Sequence, residues 1–130
     1  MALTLSVETA AENPPVEPDE IERIVAPLME GTIEVVLADP GLMRVLNRRF
    51  RHVDHATDVL TFDLSEPGGE TPEGVIYVDV RLCPPLEELL ERVFHGYLHL
   101  CGWTHDDEDS ARGMSARVAS MVAAGLEGAC

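Results

Sequence analysis

The chain contains no lysine, so all nine of its basic residues are arginines. Against 24 acidic residues they leave a formal net charge of −15. So acidic a surface repels polyphosphates in bulk, which excludes nonspecific nucleic-acid binding driven by phosphate neutralisation. Cysteine is scarce. Cys83, Cys101 and Cys130 form no CxxC pair and no even framework, which argues against a disulfide scaffold and suits reduced thiols in a cytoplasm. No apolar run approaches the ~20 residues that a membrane-spanning helix needs. The opening MALTLSVETA has neither the basic nor the apolar region of a secretory signal. With no internal repeat and no low-complexity tract, the expectation is one cytoplasmic, membrane-independent domain over residues 1–130.

Local patterning divides the chain into short elements. LTLSVET (3–9) alternates like a strand, and ENPPVEP after it reads as a loop because its prolines remove donors and fix φ. Asp19 to Glu30 predicts a first helix, apolar at Ile21, Ile24, Val25 and Leu28, with Pro27 disturbing its end. TIEVVLA (32–38) is β-branched and strand-like. Asp39 to Phe50 predicts a second helix, with Asp39 as N-cap and Pro40 at the first helical position. Helical spacing puts Leu42, Val45, Leu46 and Phe50 on one face, and Arg44, Arg48 and Arg51 opposite. Strands at 57–64 and 75–81 flank the turn-rich SEPGGETPEG. Pro84 and Pro85 open a helix running to about Cys101, and a last helix covers 106–126. The order β-α-β-α-β-β-α-α predicts a small α+β layer fold.

Two features stand out from this frame. Arg44, Arg48, Arg49 and Arg51 put four of the nine arginines within eight residues. A solvated rim accounts for any one of them, but the clustering supplies the local basic patch that RNA binding by an acidic chain would require. The second feature is HGYLHLCGWTH (95–105). Leu86, Leu89, Leu90, Val93, Phe94, Tyr97 and Cys101 form the apolar stripe of this helix, and His95 and His99 leave it together at i, i+4. Gly102 is a natural helix stop, because glycine enters the left-handed region freely, and the chain can then return His105 to the same side. Three convergent imidazoles with an open fourth position match a catalytic rather than a structural zinc site. Imidazole also suits nickel, copper and iron.

The spacing is that of the metzincin peptidases, HExxHxxGxxH, with Gly96 where the glutamate base would stand. Amide hydrolysis loses its usual proton carrier. Asp106, Asp107 and Glu108 read as a solvated helix start rather than a replacement base. A mid-helix glycine costs about 1 kcal/mol against alanine, so its presence beside a ligand implies a need for space or close backbone approach. The expectation drawn here is that the gap admits a bulky anionic group such as a phosphodiester.

HGYLHLCGWTH resembles HGxLHLxGYDH, the signature of the YbeY family of bacterial rRNA-maturation endoribonucleases. LNRRFRHVDHATDVLTF is similar to that family's LNxxYRxxDxPTDVLSF, matching at Leu46, Asn47, Arg51, Asp54, Thr57, Asp58, Val59, Leu60 and Phe62. EGVIYV loosely resembles the family's GDIxIS strand, and Met114 falls where the family often has methionine. The resemblance covers about residues 42–122. It implies a small mixed β-sheet packed with helices, including a zincin-like metal-binding helix. It further implies one Zn2+, or another divalent transition metal, held by His95, His99 and His105, and a functional, catalytic arginine at Arg51. The implied activity is metal-dependent, single-strand-specific endoribonuclease cleavage in 16S rRNA 3′-end maturation and ribosome quality control. The implied partners are single-stranded rRNA and the ribosome or its small subunit.

The chain departs from the pattern at Thr104 (aspartate in the family), Trp103 (tyrosine), Cys101 (leucine), Ala56 (proline) and Val75 (aspartate). Loss of the aspartate before His105 removes a group that would orient a ligand. Cys101 lies on the apolar stripe and reads as core filler, and His52 and His55 read as loop residues. Two other readings remain at this point. One is a zinc metallopeptidase-like hydrolase, which needs a substitute base. The other is a non-enzymatic ribosome-associated metal-binding factor.

Overall fold

The computed structural model describes residues 3–11, 14, 16–52, 57–67, 69, 71–80 and 86–128. Its strands are β1 (Leu3–Thr9), β2 (Gly31–Ala38), β3 (Val59–Asp63) and β4 (Glu73–Asp79). Its α-helices are α1 (Pro18–Val25), α2 (Pro40–Arg51), α3 (Leu86–Leu100) and α4 (Glu108–Gly128). They form a mixed α+β fold around one four-stranded sheet of order β1-β2-β4-β3. β1 pairs parallel to β2, and β2 parallel to β4, with Ile33 opposite Gly74 and Val35 opposite Ile76. Parallel neighbours cannot be joined by a tight turn; α1 lies between β1 and β2, and α2 followed by β3 lies between β2 and β4. β3 returns antiparallel to β4, Leu60 facing Tyr77, and leaves β3 at the edge.

Alternation along the strands gives the sheet two apolar faces. Ile33, Val35 and Leu37 of β2 and Ile76 and Val78 of β4 join the main core with Ile21, Ile24 and Val25 of α1 and the inward residues of α3 and α4. The opposite face, at Ala38, Leu60, Phe62 and Tyr77, packs against Leu42, Met43 and Leu46 of α2. Four residues of α3, Leu89, Leu90, Val93 and Phe94, are completely buried. Burying each of these side chains contributes about 1.5–3 kcal/mol, which pins α3 firmly along the sheet.

Local chemistry sets the element ends. The Asp39 side chain accepts from the Leu42 N–H at 2.9 Å and Pro40 opens α2, as expected from the sequence. α1 is shorter than expected: from Ala26 the chain tightens into a 3-10 turn through Pro27 to Leu28. Asp107 and Ser110 cap α4 reciprocally, with the Ser110 N–H donating to the Asp107 carboxylate at 2.7 Å. That backbone donor holds the Asp107 carboxyl below its ordinary range, so the acidic run is a helix start. Pro84 and Pro85, Arg81, His55 and part of ENPPVEP lie outside the described residues.

Sharing a helical face does not make the apolar residues of α2 equally buried. The buried side of α2 centres on Met43 and Asn47, with Leu42 and Leu46 half-buried. Val45 and Phe50 remain 46% and 56% exposed. Among the described residues, no helix is long and apolar enough to cross a membrane.

Candidate metal centre

α3 ends by a specific device. The Trp103 N–H bonds the Leu98 carbonyl at 2.9 Å and the Gly102 N–H bonds that of His99 at 3.1 Å. Gly102 itself sits at φ +94°. This is the paired-bond cap that needs a left-handed residue just past the helix. It reverses the chain and carries His105 back over the last turn of α3.

The three imidazoles converge. Each offers a ring nitrogen, and these atoms lie within 4.8 Å of one another. The Nε2 atoms of His95 and His99 are 3.1 Å apart. The His105 ring centroid is 5.6 Å from that of His95 and 4.9 Å from that of His99. Metal–nitrogen bonds of about 2.0–2.1 Å in a tetrahedral site put ligand nitrogens about 3.4 Å apart, so small ring movements suffice to close on one cation. Electrostatics agree with that use. Desolvation, followed by the neighbouring imidazoles, lowers the pKa of His95 below 6.5. Desolvation, then His105, lowers that of His99. Neutral rings keep their lone pairs available, as a divalent ion requires. These donors therefore fit a transition metal such as zinc, while leaving its identity open.

The trio lines a cleft of about 470 Å3 between α3 and the edge strand β3. Arg51, from the last turn of α2, reaches the same cleft, as do Thr57, Asp58 and Thr61. The structure thus brings together all four residues singled out in the sequence. It also adds groups that the sequence left without a role. Asp58 lies on the cleft wall near His95 and accepts a charge-assisted bond from Arg92 Nε at 2.8 Å. That pair joins α3 to the start of β3 across 34 residues, a separation that no local pattern reveals. A second groove of about 380 Å3 lies beside the first and shares Asp58, Val59 and His95 with it.

Gly96 is not open space. A Cβ built there would meet Ile76 Cγ2 at 2.7 Å and Thr61 Oγ1 at 2.8 Å. The glycine is buried and lets α3 lie close on β3 and β4. The expected gap for a phosphodiester is already filled by the sheet, and close backbone approach is the reason that stands. Cys101 also departs from expectation. α3 stops one residue before it, and the thiol is exposed in the turn rather than in the core. His52 is the exposed C-cap of α2 in the left-handed conformation and lies outside the trio. Tyr97 accepts from the Glu30 N–H at 3.0 Å, and burial pushes its hydroxyl up to about 12, so it stays protonated.

Comparison with known proteins adds an independent line. Residues 8–124 match the family model described as Endoribonuclease YbeY. The Endoribonuclease YbeY of Rubrobacter xylanophilus is 36% identical over 110 residues, spanning 83% of this chain and 77% of that protein. The protein of the same name from Albidiferax ferrireducens is 35% identical over 107 residues, spanning 72% of this chain and 67% of the relative. A solution structure of a Thermotoga maritima protein superposes with a TM-score of 0.64 at 28% identity, covering 95% of this chain and 90% of that one.

Proposed function

The chain belongs to the YbeY endoribonuclease family, and from that premise we propose that it is a metal-dependent endoribonuclease cutting single-stranded RNA in the α3–β3 cleft. The proposal extends to its biological role: maturation of the 16S rRNA 3′ end and ribosome quality control in the cytoplasm, in association with the small ribosomal subunit. One observation carries the reading. Three imidazole nitrogens converge within 4.8 Å on one side of a cleft into which an arginine projects from another element.

In this account His95, His99 and His105 hold one divalent ion, with zinc the first choice, and α3 serves as a zincin-like metal-binding helix. Such an ion, when bound, would supply Lewis acidity toward a phosphate oxygen and would lower the pKa of a water it holds. Everything else falls to the protein. Arg51 meets the charge that builds on the phosphate, where a fixed guanidinium fork suits two oxygens at once. The Arg92 guanidinium fixes the Asp58 carboxylate at the cleft wall, so the wall keeps its shape when substrate enters. Phosphoryl transfer depends mainly on positioning and charge stabilisation, and this site offers both. The peptidase reading lacks support, because position 96 is packed against the sheet and carries no carboxylate.

The test is cleavage of a single-stranded rRNA 3′-end segment against its duplex form. Native chain is expected to cut the single strand, to lose activity with a chelator, and to regain it with added metal. Casein cleavage without RNA cleavage would instead establish a peptidase.

A further inference from the structure

The basic patch has an aromatic component that the mechanism does not use. Phe50 is 56% exposed, although it is among the largest apolar side chains of the protein. It stands between Arg49 and Arg51 in the last turn of α2. Among the described residues, none of Arg48, Arg49 and Arg51 is held in an ion pair. The ring is nevertheless well supported. Phe62 of β3 meets it edge-on, with centroids 5.3 Å apart at 75°, and Phe62 in turn meets Tyr77 of β4 at 5.7 Å and 90°. The Arg49 guanidinium hovers loosely over the exposed ring, 5.8 Å from its centroid.

Exposed aromatic rings on a rigid base, flanked by cations, are the means by which proteins hold single strands: bases stack while phosphates find positive charge. In a chain of net charge −15, RNA can approach without repulsion only where arginines gather. Here that place is next to Arg51, which also lines the cleft. Resting on the nuclease reading above, we infer that Phe50 is a stacking platform for a base flanking the scissile phosphate, with Arg49 and Arg48 on the adjoining backbone. A base in a duplex is already stacked and paired and cannot lie on this ring, so the platform favours single strands. Phe50 is thus a substrate-positioning residue on the far side of edge strand β3 from the histidines.

The test uses the full metal-loaded chain and a short fluorescent single-stranded RNA, measuring Kd before products accumulate, and then KM and kcat. Phe50→Leu keeps an apolar contact with Phe62 but removes the π face. It is expected to raise Kd and KM by about five- to a hundredfold, with a smaller change in kcat, and Phe50→Trp is expected to restore both. The decisive arm replaces single nucleotides by abasic ones: at one flanking position the penalty of Phe50→Leu should vanish. A variant within twofold of wild type on intact RNA, or an equal penalty on every abasic RNA, overturns the inference. Wild type that binds the RNA without cutting it would refute the nuclease reading and leave Phe50 judged by Kd alone. Wild type that neither binds nor cuts overturns both. Melting curves for each variant separate lost stacking from lost fold.

Discussion

Replacing Gly96 by alanine sets two effects of known size against each other. Alanine in a helix interior is favoured over glycine by about 1 kcal/mol, so on propensity alone the variant should be more stable. The added Cβ would lie 2.7 Å from Ile76 Cγ2 and 2.8 Å from Thr61 Oγ1. Both neighbours are β-branched residues on strands, stiff at χ1, and cannot swing aside cheaply. Forcing a methyl into such packing costs about 1–3 kcal/mol. The middle of that range leaves a net destabilisation of about 1 kcal/mol, which for a chain of this length lowers Tm by about 3–5 °C. Urea and thermal unfolding of the metal-free chain measure it. Combining Gly96→Ala with Ile76→Ala should cost about 1 kcal/mol less than the sum of the two single changes, because the second makes room for the first. A rise in Tm for Gly96→Ala, or strict additivity, would refute the close-packing account of this glycine.

Arg51→Ala should lower kcat/KM on single-stranded RNA by about 10²–10³-fold, with Tm unchanged because the residue is exposed; Arg51→Lys should recover only part of it, since an ammonium cannot fork. Gly102→Ala meets no atom within 4 Å, yet is strained by φ +94°, so it should cost about 1–2 kcal/mol in unfolding experiments and weaken metal affinity through His105. His95 and His99 titrate below their ordinary 6.5. At pH above 6.5 both states hold these rings neutral, and as pH falls below it the unfolded chain takes up protons first. Stability of the metal-free chain should therefore drop from pH 6.5 down to the folded pKa values and then level off. A His95→Gln/His99→Gln variant should show a shallower drop in the same melting series. Zinc at about a hundred times its Kd should stabilise the native chain by about 2.7 kcal/mol and leave His99→Ala unmoved, as read by thermal shift.

How much was legible before the structure depended on how local each signal was. β1 and the start of α2 were readable because alternation and an Asp-Pro cap are decided within a few residues. The histidine trio was readable for the same reason: an i, i+4 pair and a glycine stop lie within eleven consecutive positions. Arg51 was marked by the motif resemblance and by its place in the arginine cluster, but its reach into the cleft depends on β3 lying at the sheet edge. The direction in which Gly96 faces was not readable, since spacing says that a position is small but not what stands against it. Spacing puts Phe50 on one face of α2 with Leu42, Val45 and Leu46 but does not say how much of that face is covered. Tertiary packing buries Asn47, which the sequence marks only as a motif match, and exposes Phe50. Helical phase continued past Leu100 puts Cys101 on the apolar stripe, but α3 ends at Leu100 and Cys101 lies in the turn. The Asp58–Arg92 pair is a contact between distant segments, which periodicity does not encode.

The account rests on three imidazoles gripping one cation in the cleft, and metal stoichiometry tests it most directly. Native chain loaded with zinc and freed of excess should hold one equivalent, and His95→Ala, His99→Ala and His105→Ala should each lose it together with RNA cleavage. Full retention of the ion by these variants while they remain folded, or undiminished cleavage without it, would contradict the account.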